Sequence, residues 1–294
     1  MLFRELREED KEWLTQAFWE DQRKACEFSF ANNYLWDMVY HVQVAECHGC
    51  AILRYVEGEE TVYVFPCGAG DKFAALQEML AQAEESGGVL KMTGVIKEET
   101  EYLQQHFPDV FQIETDRDDY DYIYNTQDLI HLSGKKYHGK RNHIARFKDT
   151  PWAYEEMGEE NLEECQQMLA IWKQKRDDKW DDLMEEEYHV VQKALREFGR
   201  LDLQGGLIRQ KGEVVAFTMG EPLTKDTYVV HFEKAFPEIQ GAYPIINQQF
   251  VEHTCQAYAY VNREEDDGEE GLRRAKLSYH PAILLEKFRV TQKK

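Results

Sequence analysis

The stretch VNREEDDGEEGLRRAKLSYHP, residues 261–281, decides how this chain is read. It joins a run of acids, Glu264, Glu265, Asp266 and Asp267, to the basic turn Gly271-Leu272-Arg273-Arg274, then Lys276 and a Ser-Tyr-His-Pro end. No ordinary core element needs that mixture. The acidic half can meet a cation or an amine, with Asp267 among the carboxylates available to an ammonium group. Arg273, Arg274 and Lys276 can meet phosphate or a developing oxyanion. Tyr279 can give a proton to a leaving group while Lys276 stabilises the oxyanion. The alternate-position ligands of a calcium loop are absent. A solvated, purely structural loop is the open alternative.

Upstream, residues 227–250 read TYVVHFEKAFPEIQGAYPIINQQF, an extended strand, a turn and a helix. Strict alternation puts His231 and Glu233 on one face of that strand, as a pair able to take a proton from an amine. The competing reading makes one a satisfied core group and leaves the other exposed. Gln240 and Gly241 lie where backbone N–H groups at a helix start can hold a phosphate or carboxylate. A full acyl-coenzyme A loop would carry more glycine and a basic residue there. Further upstream is GKKYHGKRNHIARF, residues 134–147. Lys135, Lys136, Lys140, Arg141, Arg146 and Lys148 crowd together there, with His138 and His143 among them. They form either a phosphate-binding patch or a solvated helix paired with nearby carboxylates. Tyr137, Ile144 and Phe147 show that one side packs inward.

The chain has 294 residues, a length that suggests two domains, and 43% apolar residues, enough for a real core. A net charge of -21 repels bulk nucleic acid and anionic lipid, so any such contact must be a local basic patch. No apolar run is long enough to span a bilayer, and the charged start MLFRELREEDKEWL is not a secretory signal. A cytoplasmic location is expected, with the six cysteines as reduced thiols. Cys47-His48-Gly49-Cys50 has the spacing of half a zinc site but reads more simply as a tight turn between strands, and no metal is expected.

Helices are expected over 8–30, 71–85, 98–106, 161–176, 185–198 and 242–253. The segment 29–36 is a turn or short helix. Strands are expected over 41–46, 51–56, 61–65 (after a turn at Gly58), 89–93, 111–115, 120–125, 152–156, 203–209, 213–221, 227–235 and 258–262. Closing strands lie at 275–279 and 286–290. The same element order runs twice, which implies two α+β domains, 1–148 and 149–294, with the active site in the second. Walker, HExxH and GxSxG motifs are absent.

Together the segments 134–147, 238–250 and 261–281 resemble the phosphatidylglycerol lysyltransferase C-terminal domain family, over nearly the whole chain. The resemblance implies two tandem GNAT-like acyltransferase domains, as in Fem-type aminoacyltransferases, each a mixed central sheet flanked by helices. It implies transfer of an aminoacyl group from charged tRNA to an amine or hydroxyl acceptor, whether a small molecule, lipid or peptide. No tightly bound cofactor is implied; aminoacyl-tRNA, or acyl-coenzyme A, is the co-substrate. Asp267, Arg273 and Lys276 match family positions near the acyl-donor pocket, and Gly241 matches the loop after the central strand. This sequence lacks the lysyltransferases' membrane-embedded segment. Two other readings stand beside aminoacyl transfer: an acyl-coenzyme A-dependent N-acetyltransferase, and a non-catalytic binding protein on a degenerate GNAT fold.

Overall fold

A computed structural model describes residues 1–57, 60–175 and 181–294. The expected turn at Gly58 and the end of the expected helix at Arg176 lie outside the described residues. Fourteen strands are described: β1 (Arg4–Glu5), β2 (Gln43–Cys47), β3 (Cys50–Glu57), β4 (Glu60–Tyr63), β5 (Lys91–Val95), β6 (Phe111–Thr115), β7 (Asp121–Asn125), β8 (Trp152–Glu156), β9 (Gln204–Gln210), β10 (Glu213–Pro222), β11 (Thr227–Ala235), β12 (Tyr260–Asn262), β13 (Ile283–Leu285) and β14 (Phe288–Gln292). The helices are α1 (Lys11–Asp21), α2 (Phe30–Tyr40), α3 (Lys72–Glu85), α4 (Lys97–His106), α5 (Thr126–His131), α6 (His138–Lys148), α7 (Leu162–Gln174), α8 (Asp182–Arg196), α9 (Ala242–Thr254) and α10 (Glu270–Leu277). None is long and apolar enough to cross a membrane.

The strands form two mixed seven-stranded sheets, in the orders β1-β2-β3-β4-β5-β14-β6 and β13-β7-β12-β11-β10-β9-β8. This is the α+β, tandem GNAT-like architecture that the resemblance implies. Compact unit 1 comprises Met1–Tyr122, Glu264–Arg273 and Leu284–Lys294, and unit 2 comprises Ile123–Arg263 and Arg274–Ile283. The expected division at 148/149 falls inside unit 2, after α6. The reason is strand exchange: β7, from the first half of the chain, pairs with β12, and β14 returns to pair with β5 and β6.

Local chemistry explains most elements. The Ser29 hydroxyl accepts from the Asn32 N–H at 3.0 Å and caps α2; the Asp71 carboxylate accepts from Ala74 at 3.0 Å and caps α3. Gln22, in the left-handed region at φ 54°, ends α1, so the single helix expected over 8–30 is broken. Cys47 and Cys50 face each other across the β2–β3 hairpin, whose turn residues His48 and Gly49 both have positive φ. The segment 275–279 is no strand: it opens with the last turn of α10 and ends in tight backbone turns from Lys276 to Tyr279 and Leu277 to His280. In unit 2, β10 and β11 are buried along almost their whole length, as central strands covered on both faces must be. Ile245, Ile246, Phe250 and Val251 form the buried side of α9. In unit 1, Ile52, Phe65, Leu76, Met79, Met92, Leu103 and Val290 share one core cluster.

Unit 1 also buries a charge cluster. The Lys287 ammonium, 2% exposed, lies 2.8 Å from a Glu27 oxygen and 3.0 Å from an Asp121 oxygen, and also pairs with Glu265. Cys26 Sγ is 3.8 Å away. Burial opposes the charge on Lys287, but Asp121, Cys26, Glu265 and Glu27 outweigh it and raise its pKa. Burial pushes the Glu27 carboxyl up to about 7, against the pull of Lys287. Replacing Lys287 with Met strands three carboxylates and is expected to cost about 3–5 kcal/mol in urea unfolding. Folded Glu27 holds its proton more tightly than the unfolded chain does. Its contribution to stability therefore falls as pH rises from about 4.5 to about 7 and is level above that. Unfolding of Glu27→Gln across that range should lack this fall.

Candidate functional site

A candidate site lies in unit 2, where β11 and β12 part. Their parallel pairing runs from Thr227↔Tyr260 to Val229↔Asn262 and stops, while β11 continues to Ala235. Arg263, the residue after β12, spans the gap: its Nη2 donates to Glu233 Oε1 at 2.9 Å. Asn247 of α9 donates through Nδ2 to Glu233 Oε2 at 3.1 Å. The Glu233 and Arg263 side chains are only 10% and 11% exposed. Arg263 stacks over the rings of Tyr279 and Tyr124, at 4.9 and 5.7 Å from their centroids. Lys140, from α6, places its ammonium 3.8 Å from the Tyr279 ring centroid.

The backbone around these groups is held by hydrogen bonds. Lys276, itself buried, donates to the Arg263 carbonyl at 2.7 Å. The Tyr124 hydroxyl donates to the Lys276 carbonyl, and the Tyr137 hydroxyl to the Tyr279 carbonyl, both at 2.9 Å. Two buried polar atoms, Arg263 Nη1 and Asn247 Oδ1, have no hydrogen-bond partner among the described residues.

Burial, then the Arg263 charge, lowers the Lys140 pKa to about 8, with Glu233 working against both. Burial raises the Tyr279 pKa although Arg263 pulls it down, so the phenol keeps its proton near neutrality. Lys140 is therefore the member of this cluster suited to exchange a proton at mildly alkaline pH.

Of the residues singled out in the sequence, Glu233, Lys276, Tyr279 and Lys140 come together here. Lys276 is bonded to a backbone carbonyl and positions Arg263. His231 is elsewhere: it is the extra residue of a β-bulge, since Met219 pairs with Phe232 and Gly220 with Val230. Alternation counted along the sequence does not carry across that bulge, and His231 Nε2 meets Glu221 Oε1 at 3.1 Å.

Gly241 starts α9 at φ 91°, and a Cβ there would lie 2.3 Å from the His143 carbonyl oxygen of α6. Gln240 contacts the His143 ring at 3.1 Å. The Ala242 N–H already donates to Ile239, and Pro244 has none to offer, so this helix start is poor in donors for a phosphate. Lys135, Lys136 and Arg146 are exposed, with Lys136 3.6 Å from Asp128. Arg141 donates to the carbonyls of Leu132 and Gly134 and closes the end of α5.

The 261–281 stretch is divided, because the unit boundary runs through α10. Arg273 belongs to unit 1, where its Nε and Nη2 grip Asp266 at 2.9 and 2.6 Å and Nη2 also binds Asp118. It is committed to carboxylates, not open to phosphate. Asp266 is the buried acid, while Asp267 is exposed in the adjoining turn and Arg274 is exposed on α10. Sequence reading missed Arg263 and Asn247. The available signal was an arginine directly after a short apolar strand and an asparagine among the buried positions of α9.

Half of the Lys140 side chains should be uncharged near pH 8. Mass-spectrometric acetylation across pH should show Lys140 labelled well below the range of ordinary lysines. In Arg263→Ala its half-point should move up.

The phosphatidylglycerol lysyltransferase C-terminal family model matches residues 21–291. A conserved protein of unknown function from Bacteroides thetaiotaomicron is 35% identical, covers 99% of both chains and superposes with a TM-score of 0.94. L-PGS from Bacillus licheniformis shares the fold at 18% identity and TM-score 0.68, over 99% of this chain and 95% of its own. FemX does so at 11% identity and TM-score 0.60, over 98% and 97%. No curated protein matches. The chain belongs to the phosphatidylglycerol lysyltransferase C-terminal family, on a GNAT-like acyltransferase fold.

Proposed function

We propose that this chain moves an aminoacyl group from aminoacyl-tRNA to an amine or hydroxyl acceptor, at the Glu233–Arg263 site of unit 2. The observation that carries the reading is the buried ion pair at the parting of β11 and β12, with a spare guanidinium N–H and a lysine near pKa 8 beside it. The family and the FemX-like fold support the same reaction class. The donor-poor start of α9 supports a donor that places no pyrophosphate there, in contrast to acyl-coenzyme A. The exposed Lys135, Lys136, Arg146 and Lys148 offer the local positive patch that tRNA phosphates need on so acidic a chain.

In this reaction the acceptor nitrogen or oxygen attacks the ester carbonyl carbon, and the carbonyl oxygen becomes an oxyanion. Arg263 Nη1 donates to that oxyanion, and burial makes the donation stronger than it is in water. Neutral Lys140 takes the acceptor's proton, and the same proton passes to the ribose oxygen as the C–O bond to tRNA breaks. Glu233 holds the guanidinium in plane, and Lys276 holds the Arg263 backbone.

The test is transfer of radiolabel from tRNA charged with each amino acid to a panel of lipid, peptide and small amine acceptors. Transfer is expected from at least one aminoacyl-tRNA. Arg263→Ala should lower its rate about 100-fold, in line with loss of an oxyanion donor, while Asp267→Asn leaves it unchanged. Acetyl transfer from acetyl-coenzyme A with none from tRNA would overturn the proposal. So would tight partner binding without transfer from either donor.

A further inference from the structure

In unit 1, α1 carries Trp13, Gln16, Ala17 and Glu20 at the i, i+3, i+4, i+7 spacing that lines side chains up on one helix face. That row borders an open cavity of about 480 Å³. Glu46 of β2, the hairpin turn at Gly49 and the loop 68–70 complete the lining. A Cβ on Gly70 would lie 2.3 Å from the Gly49 carbonyl carbon, so main chain meets main chain there. Two of the lining groups are held by hydrogen bonds. Asp10, 3% exposed, accepts from Trp13 Nε1 at 2.8 Å and from Arg4 Nη1 at 2.7 Å. Glu20 accepts from the Ala69 N–H at 2.9 Å and from Gln16 Nε2 at 3.2 Å. The indole and one carboxylate are thus oriented before any ligand arrives. The Glu46 carboxylate is exposed, and no described residue pairs with it. No lysine, arginine or histidine lines this cavity. A smaller cavity of about 300 Å³ shares Trp13 and Glu46 but includes Arg4, so it is less suited to a positive charge.

An oriented indole beside two carboxylates, with no basic neighbour, is complementary to a cation. We propose that the larger cavity seats an alkylguanidinium group, as in arginine, stacked on Trp13 and bound by Glu46 and Glu20. A guanidinium suits it better than an ammonium. It is flat, stacks on an aromatic face, offers paired N–H donors to a carboxylate and gives up its water more easily. Glu46 supplies the unpaired carboxylate for that fork, and Glu20 adds a second negative charge. The net charge of -21 draws cationic partners toward the chain from a distance. The cavity lies in unit 1 and uses none of the residues of the Glu233–Arg263 site, so the two ligand readings are independent.

The test is NMR titration of the whole chain, read at the Trp13 indole N–H, which is assigned by its loss in Trp13→Phe. The probes are ethylguanidinium, ethylammonium and N-ethylurea; the urea keeps the flat shape and lacks the charge. Ethylguanidinium is expected to shift the Trp13 signal with a Kd of about 1–10 mM, a range fitting so small a ligand. Ethylammonium should bind more weakly, and N-ethylurea should leave the signal in place. Added salt should weaken ethylguanidinium binding. Glu46→Gln, at an exposed position, should weaken it about fivefold, as expected for an ion pair open to solvent. The comparison of probes on the unaltered chain stands even if that variant does not fold. Tighter binding of N-acetyl-L-argininamide than of free L-arginine assigns the site to an arginine within a polypeptide; the reverse assigns it to the free amino acid. Absence of any shift at Trp13, equal binding of the urea, or full affinity in Glu46→Gln overturns the site. Ethylammonium as strong as ethylguanidinium overturns the guanidinium preference.

Discussion

A carboxylate taken out of water needs both its oxygens met, and the nearly buried Glu233 of unit 2 is under that condition. Arg263 and Asn247 meet it from two different elements, one the end of β12 and the other the middle of α9. To do so, β12 must leave β11 after Asn262, and α9 must stay close to β11. The remaining features follow from that. Lys276 fixes the carbonyl of Arg263, Tyr124 fixes Lys276, and Tyr279 lies under both Arg263 and Lys140. Loosening any of these would leave a buried charge without its geometry.

The two units treat the buried Lys287 and the half-buried Lys140 in opposite ways. Lys287 sits among Asp121, Glu27 and Glu265, an excess of negative charge, and holds its proton strongly. Lys140 sits beside Arg263 with a single carboxylate near it, and burial and the neighbouring cation loosen its proton. One residue type thus holds its proton strongly in one place and loosely in the other. The difference is set by the sign of the surrounding charge, not by the depth of burial alone.

Much of the fold was legible because it is local. Caps such as Ser29 and Asp71, the Cys47–Cys50 hairpin, and the apolar runs of β10 and β11 announce themselves within a few residues. The exchange of β7 and β14 was not legible, since a five-residue strand has the same pattern whichever sheet it joins. The site was half legible for the same reason. Glu233, Lys140, Lys276 and Tyr279 stood out by chemistry, but the pairing of Glu233 with Arg263 spans thirty positions and has no local signature. Arg273 misled because its basic neighbours suggested phosphate, while its partner Asp118 lies on a distant part of the chain. His231 misled because one extra residue in a strand shifts everything counted beyond it.

The place of β14 in the first sheet has a consequence for biosynthesis. It lies between β5 and β6 and pairs with both, Val290 opposite Met92 on one side and Ile113 on the other. While the ribosome has delivered β1 to β6 but not residues 288–292, β5 and β6 face each other across a missing rung. Their open N–H and C=O groups are then available to any passing strand. Nor can Glu27 and Asp121 find their ammonium until Lys287 emerges. The first unit is therefore completed only after residues 123–263 of the second have been translated, and until then β5 and β6 lack the strand that joins them.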